Sequence, residues 1–346
     1  MTSVACPVAT RRPPAAARLP HGLLGAAAAL ALLAGCAHAP GPAEPALTTG
    51  LERAEPPAPR RSAGGIPPGG EDLRAFYASV EGDLTASGRM RRDTAPADAP
   101  FTDADLVRDF DRIALHDEYV DQGGRFVHTE APALLRRWDK PVRVAVMTGA
   151  STPPEDAARD RANVAAFTQR LAHLTGLDMR LGQGTDVNFL VLFMNSAERE
   201  AFATQVRAAY PNFAPAVMSA LHDTPLDTFC TAYAFSEPDR PSVYSAVIVL
   251  IRAEHPPFTR LSCVHEEMAQ AMGLPNDSPD ARPSLFNDDL EFALLTEHDA
   301  ILLRMLYDPR LRPGMTAAEV RPLLPEIARD ARLAQANDER MAIAAN

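Results

Sequence analysis

The chain has 346 residues and an acidic balance, with 45 Asp and Glu against 34 Lys and Arg and a formal net charge of −11. An acidic protein repels phosphate backbones and anionic lipid headgroups, which argues against nucleic acid as a partner and against electrostatic attachment to a membrane.

The first 35 residues predict a secretory signal peptide. They contain three arginines and no acidic residue, and an apolar stretch runs from Leu23 to Ala34. This stretch is shorter than the ~20 residues that cross a bilayer, so it favours a cleaved signal over a transmembrane helix. Removing the three arginines with the signal changes the formal charge from −11 to −14.

The signal ends in Leu33-Ala34-Gly35-Cys36, which resembles the bacterial lipobox. The resemblance implies that Cys36 is acylated and anchors the chain through lipid to the cell envelope, facing the periplasm. A conventional signal peptide with a chance cysteine is the alternative. Ala37, where an aspartate would favour the inner membrane, favours the outer membrane.

Residues 36–100 are expected to form a flexible tether. Between Ala39 and Gly70 the chain holds 8 prolines and 6 glycines in 32 residues, a composition that cannot bury a core. One short helix is expected within the tether, over 71–84. The globular domain is predicted to span 101–332, followed by a tail over 333–346.

Within this domain the apolar spacing predicts alternating strands and helices. Strands are expected over 141–147, 178–181, 187–193 and 243–251, with a helix over 160–177. Capping boxes at Thr296 and Thr316 predict helices near the C-terminus, and the first of them would carry His298 on its surface.

The segment from His265 to Asp277 carries the most specific motif. Its first possible register begins at His265 and fails, because the second ligand position falls on Ala269. In the other register the residues lie at the spacing of a zinc-peptidase helix and turn, in which two ligands lie four residues apart beside a general base. The positions concerned are Glu266, Glu267, Gln270, Gly273 and Asn276.

This second register resembles a degenerate metzincin, a member of the zincin class. The resemblance implies Glu267 as the catalytic general base, with Glu266, Gln270 and Asn276, together with the adjacent Asp277, lining a metal or ligand groove. It also implies an α/β or α+β fold of one domain: a mixed sheet with an antiparallel edge strand, an active-site-like helix and C-terminal helices. The edge strand would be 243–251 and would pair with peptides. An amphipathic helix with a solvated Glu-Glu pair and a Gly273 cap is the alternative.

A wider region also resembles a family of secreted proteobacterial proteins known only as a domain of unknown function. The likeness extends from about Phe101 to Arg329 and includes the pattern Glu-Glu-x-x-Gln-x-x-Gly-Leu-x-Asn-Asp that begins at Glu266. It implies that the Glu/Gln pattern is typical of the family.

Residues 276–289 are rich in short side chains with oxygen atoms. Oxygen ligands suit Ca²⁺ or Mg²⁺ better than Zn²⁺, so a divalent cation is a possible cofactor, and a small polar ligand is another occupant. A solvated loop held by Asx turns is the alternative.

The predicted export determines what the cysteines can do chemically. Of the four, Cys6 leaves with the signal and Cys36 is used for lipid, so Cys230 and Cys263 remain in an oxidising compartment. One disulfide is expected between them, and two buried free thiols are the alternative.

Three functions follow from these features. We expect a lipid-anchored envelope protein whose groove binds peptide or protein ligands as a binder or scaffold. A divergent metallopeptidase that uses Glu267 is the second hypothesis. A structural lipoprotein with no groove is the third.

Overall fold

The computed structural model describes residues 3–6, 70–210, 213–222 and 224–344. Cys36 and most of the predicted signal and tether lie outside the described residues. The strands are β1 (Ser3–Cys6), β2 (His116–Asp121), β3 (Phe126–Pro132), β4 (Val142–Thr148), β5 (Met179–Leu181), β6 (Phe189–Met194), β7 (Cys230–Glu237) and β8 (Arg240–Arg252). The helices are α1 (Gly70–Ala86), α2 (Asp103–Ala114), α3 (Pro154–Thr175), α4 (Ser196–Ala209), α5 (Pro215–His222), α6 (Pro257–Gln270), α7 (Glu297–Leu306), α8 (Ala317–Val320) and α9 (Leu324–Ala344).

Six strands form one mixed sheet in the order β1-β7-β8-β6-β4-β5. The strands β5, β4, β6 and β8 run parallel, β7 is antiparallel to β8, and β1 is parallel to β7. The hairpin β2-β3 forms a separate two-stranded sheet. The predicted mixed α/β architecture with antiparallel pairing is confirmed.

Apolar side chains of the sheet alternate between two cores. In β8, Val247, Val249 and Ile251 join the larger core, which also takes side chains from α2, α3, α6, α7 and α9. Ile248 and Leu250 join the smaller core, which includes residues of α4 and α5. The sheet is therefore covered by helices on both faces, which is why its central strands are continuous apolar runs.

The predicted strands and the helix near 160–177 are all present, but the predicted edge is wrong. The run 243–251 lies inside β8, between β7 and β6. Nearly every residue of this strand is buried, because both of its faces are covered and both of its edges are paired. The antiparallel strand nearest the edge is β7, which the sequence analysis did not predict.

Helix α1 packs on the rest of the molecule, so packed structure is present from residue 70 onward, ahead of the expected boundary near 101. The buried Tyr77 donates its hydroxyl to the carbonyl of Leu226 at 3.1 Å. The Glu81 carboxylate accepts the backbone N–H of Thr259 at 2.9 Å, in the first turn of α6. A carboxylate in this place satisfies a free amide and suits the positive end of the helix.

No helix in the described parts of the chain is both long enough and apolar enough to span a membrane.

Candidate functional site

Helix α6 carries the motif and is fixed between the sheet and α3. It packs on β7 and β8, and the buried Arg260 forms an ion pair with the buried Asp160 of α3 at 3.0 Å. The predicted position of the motif helix beside the strand 243–251 is therefore confirmed.

The chain turns sharply at Gly273, as the motif predicted. Its φ is 123°, and a Cβ atom there would come within 2.1 Å of the Arg136 carbonyl oxygen. Only glycine allows both this backbone conformation and this close approach.

After the turn, Asp277 comes back to the helix. The Gln270 side chain donates from Nε2 to Oδ1 of Asp277 at 3.1 Å. Asn276 does not take part in this contact, because its side-chain amide donates to the carbonyl of Arg112 at 3.0 Å. The structure thus brings Asp277 to the motif helix and ties Asn276, the expected third-ligand position, to α2.

Glu118, on β2, is a member of the site that the sequence analysis missed. It is buried, and the negative charge of Asp277 acts on it. No local spacing could identify it, since more than 140 residues separate it from the motif and only the tertiary fold joins them. We call the five residues that share this region the acidic cluster: Glu118, Glu266, Glu267, Gln270 and Asp277.

The acidic cluster is buried and short of partners. Glu267 and Gln270 are 0 % exposed. Among the described residues, both carboxylate oxygens of Glu267 lack a hydrogen-bond partner, as do Oε1 of Gln270, Oδ2 of Asp277 and Oε2 of Glu118. Buried polar atoms without partners are costly, so the cluster is poised to accept a donor or a cation.

Burial and mutual repulsion raise the pKa of every carboxyl group in the cluster. Burial raises the pKa of Glu267 to about 8, and Asp277 adds to the rise. The pKa of Asp277 rises to about 7, chiefly through burial, and that of Glu118 rises to about 9 through burial and the charge of Asp277. Burial and the charge of Glu267 raise the pKa of Glu266 well above its usual value. The free protein therefore holds protons here at neutral pH.

The donor set does not suit zinc. Ligand atoms of Cys230, Glu266 and Glu267 lie within 4.8 Å of one another. Cys230 is bonded to Cys263, so it offers no thiolate. Within the described residues this leaves two close carboxylates, fewer than the four ligands of a structural zinc site, and oxygen donors favour a hard cation if any ion binds.

The disulfide between Cys230 and Cys263 was expected and is present, with the two Cα atoms 5.8 Å apart. It joins the first residue of β7 to α6. Glu266 and Glu267 lie three and four residues after Cys263, one turn along the helix, so the bond holds the acidic cluster at the beginning of β7.

Two histidines lie outside the cluster. His265 stacks on Phe167 with ring centroids 4.2 Å apart, and its Nδ1 accepts the backbone N–H of Leu295. His298 is fully buried, and its Nε2 lies 3.0 Å from a carboxylate oxygen of Asp109. The prediction of His298 on a helix surface is wrong, because both sides of α7 are covered, by α2 and by α9.

Comparison with known proteins bears on the region from α2 to α9. No curated protein and no solved structure matches the chain. The resemblance expected over about 101–329 is confirmed as membership of a family of unknown function, while the secreted origin and the zincin likeness stay predictions. A family model described as a protein of unknown function, DUF2927, matches residues 103–326, and the chain belongs to that family.

Proposed function

We propose that this chain is a lipid-anchored protein of the bacterial cell envelope that binds extended peptide segments as an added strand beside β7. Its role is binding or scaffolding, and the acidic cluster lies at one end of the bound segment.

The pairing of β1 with β7 is the observation that carries the proposal. Residues Ser3–Cys6 lie parallel to β7, with Ser3 opposite Ala232 and Cys6 opposite Phe235. These residues belong to the segment that the sequence predicts to be removed on export. In the exported protein the same edge of β7 would be open to another extended chain, and an open sheet edge is a template for strand addition.

The hairpin β2-β3 gives this edge a second wall. Strand β1 contacts β2 as well as β7. Phe126 of β3 stacks on Tyr233 of β7, with ring centroids 5.9 Å apart. A segment beside β7 would therefore lie in a groove with β7 on one side and β2 on the other.

The chemistry of the motif supports binding over metal-dependent hydrolysis. Glu266 and Gln270 occupy the positions at which a zincin has histidines, and an amide is a weak ligand for zinc. The amide of Gln270 is also engaged with Asp277.

The test uses the exported protein, purified from the envelope in detergent, with its N-terminus determined. The probe is a fluorescent synthetic peptide of residues 1–7 carrying Cys6→Ser. In a strand, alternate amides point to the same neighbour. N-methylation of one alternate set of peptide amides should therefore weaken binding about tenfold or more, while methylation of the other set leaves binding unchanged.

Equal effects of the two methylation sets, or no binding at all, would contradict strand addition. No binding would favour the structural lipoprotein.

One observation favours hydrolysis as a second candidate. Within the part of the chain that the structure describes, neither carboxylate oxygen of Glu267 has a hydrogen-bond partner, and its raised pKa of about 8 lies near the range of an effective general base. If the same peptide is cleaved, Glu267→Gln should abolish cleavage even at saturating peptide concentration. A stable peptide after prolonged incubation excludes this candidate for that sequence.

A further inference from the structure

We infer that the acidic cluster binds the free amino terminus of the peptide that β7 holds, so the ligands are extended peptides with an unblocked α-ammonium group. This inference rests on the proposed function and adds the direction and the end group of the ligand.

The direction comes from the register of β1. Because β1 runs parallel to β7 with Ser3 opposite Ala232, moving towards the amino end of the added strand leads towards Cys230. A bound peptide in this register has one residue opposite Ala232, in the place of Ser3. The peptide residue two positions before it lies opposite Cys230. Its amino-terminal end therefore points to the beginning of β7.

The acidic cluster lies at that end of the groove. The Sγ atom of Cys230 is within 4.8 Å of carboxylate oxygens of Glu266 and Glu267. Glu118 lies on β2, the strand that forms the second wall. Carboxyl groups from both walls thus meet where the amino terminus of the peptide would arrive.

Among the described residues, no lysine or arginine forms an ion pair with the acidic cluster. Glu266, Glu267 and Asp277 form no ion pair within the described parts of the chain, and Glu118 only approaches His128, at 3.8 Å. The unpartnered oxygens include Oε1 of the neutral Gln270, which is fully buried.

An α-ammonium group would donate hydrogen bonds to these oxygens and balance part of their negative charge. It carries one positive charge and three N–H donors, and it can bond several oxygens that converge from different directions. A divalent cation fits less well, since two close carboxylates are fewer than the six to eight oxygen ligands that Ca²⁺ takes.

The experiment compares the peptide of residues 1–7 carrying Cys6→Ser with its N-acetylated form, on the same exported protein. A fluorophore at the C-terminal end keeps the amine free. Acetylation should weaken binding at least about tenfold, the size expected when a charged hydrogen-bonding group is lost from a buried site.

Carboxylate-to-amide variants test whether the acidic cluster causes the effect of N-acetylation on binding. In Glu267→Gln and in Glu118→Gln, on opposite walls, the acetylation effect should shrink to less than about threefold. Glu237→Gln is the matched control, because Glu237 lies at the other end of β7 and pairs with Lys140 and Arg240. In Glu237→Gln, N-acetylation should still weaken binding about tenfold. Thermal melting of each variant confirms that it is folded.

The outcomes separate the two proposals. If both peptides bind equally well, strand addition stands and the amino-terminal inference falls. If neither binds, the proposed function itself fails. Stoichiometric Ca²⁺ or Zn²⁺ in the exported protein, displaced by neither peptide, would identify a cation site and overturn the inference.

Discussion

Single side chains around α6 determine what the site can do. The fully buried Glu267 has no hydrogen-bond partner among the residues that the structure describes, and its pKa is raised from 4.5 to about 8. Such a group is tolerated in the free protein because it is protonated at neutral pH. A ligand with a positive charge would favour its ionised form.

This raised pKa predicts that the protein loses stability as the pH rises. Between about pH 4.5 and pH 8 the folded state keeps a proton on Glu267 that the unfolded state releases, so the free energy of unfolding falls over that interval. The full effect is on the order of 5 kcal/mol. Urea titrations at pH 5.5 and pH 8 should therefore show a lower free energy of unfolding at pH 8.

Glu267→Gln should reduce this pH dependence by the share of Glu267, because an amide does not titrate, and should leave the contributions of Glu118, Glu266 and Asp277. Glu237→Gln serves as the control: the ion pairs of Glu237 outweigh its burial and lower its pKa, so between pH 5.5 and pH 8 it is essentially ionised in both the folded and the unfolded state. A wild-type protein that is equally stable or more stable at pH 8 would show that Glu267 is not buried in its acid form.

The residues of the site were only partly predictable. Spacing on one helix placed Glu266, Glu267 and Gln270 together, and the glycine turn predicted the return of the chain. The choice between Asn276 and Asp277 depends on the exact path after Gly273, which spacing does not determine. Glu118 reaches the cluster through a hairpin distant in sequence, and such a contact leaves no local pattern.

At the scale of elements, the turn after α6 depends on Gly273. Gly273→Ala combines an unfavourable φ of 123° with a Cβ atom 2.1 Å from the Arg136 carbonyl oxygen. We expect a loss of at least about 2 kcal/mol in the free energy of unfolding, measured by urea denaturation.

Gly176→Ala is the matched control for the turn. Gly176 also has a positive φ, 72°, at the end of α3, but no atom lies within 4 Å of the Cβ position. It should cost about 1 kcal/mol, from backbone strain alone. Equal losses in the two variants would mean that the approach to Arg136 is unimportant.

The disulfide fixes α6 to β7 and should contribute to stability. It closes a loop with a sequence separation of 33, for which chain entropy gives about 3–4 kcal/mol. The double variant Cys230→Ala and Cys263→Ala should lose about this much in urea unfolding. Two alkylatable thiols in the non-reduced exported protein would contradict the bond.

The order of the strands in the sheet could not be predicted from the sequence. The apolar run of β8 was recognisable as a strand, but a strand covered on both faces has a continuous apolar run whether or not it lies at an edge. Strand β7 was missed because Ala232, Ala234 and Glu237, which disfavour strands, interrupt its apolar pattern. Pairing partners are set by the whole fold and not by either segment.

For the whole molecule, the proposed lipid anchor would determine where the proposed groove meets its ligands. The Leu33-Ala-Gly-Cys36 junction predicts that metabolic labelling with a fatty acid marks the wild-type protein and that Cys36→Ser abolishes the label. The variant should accumulate as an unprocessed or soluble form. Absence of label on the wild type would remove the anchor from the proposal.

Strand addition beside β7 is the central claim, and hydrogen exchange tests it most directly. The exported protein is exchanged with and without excess peptide of residues 1–7 carrying Cys6→Ser, and fragments covering 230–237 are weighed. Amides of β7 that point away from β8, about half of the strand, should exchange more slowly with peptide, while α4 stays unchanged. Unchanged exchange in 230–237 under saturating peptide would contradict the claim.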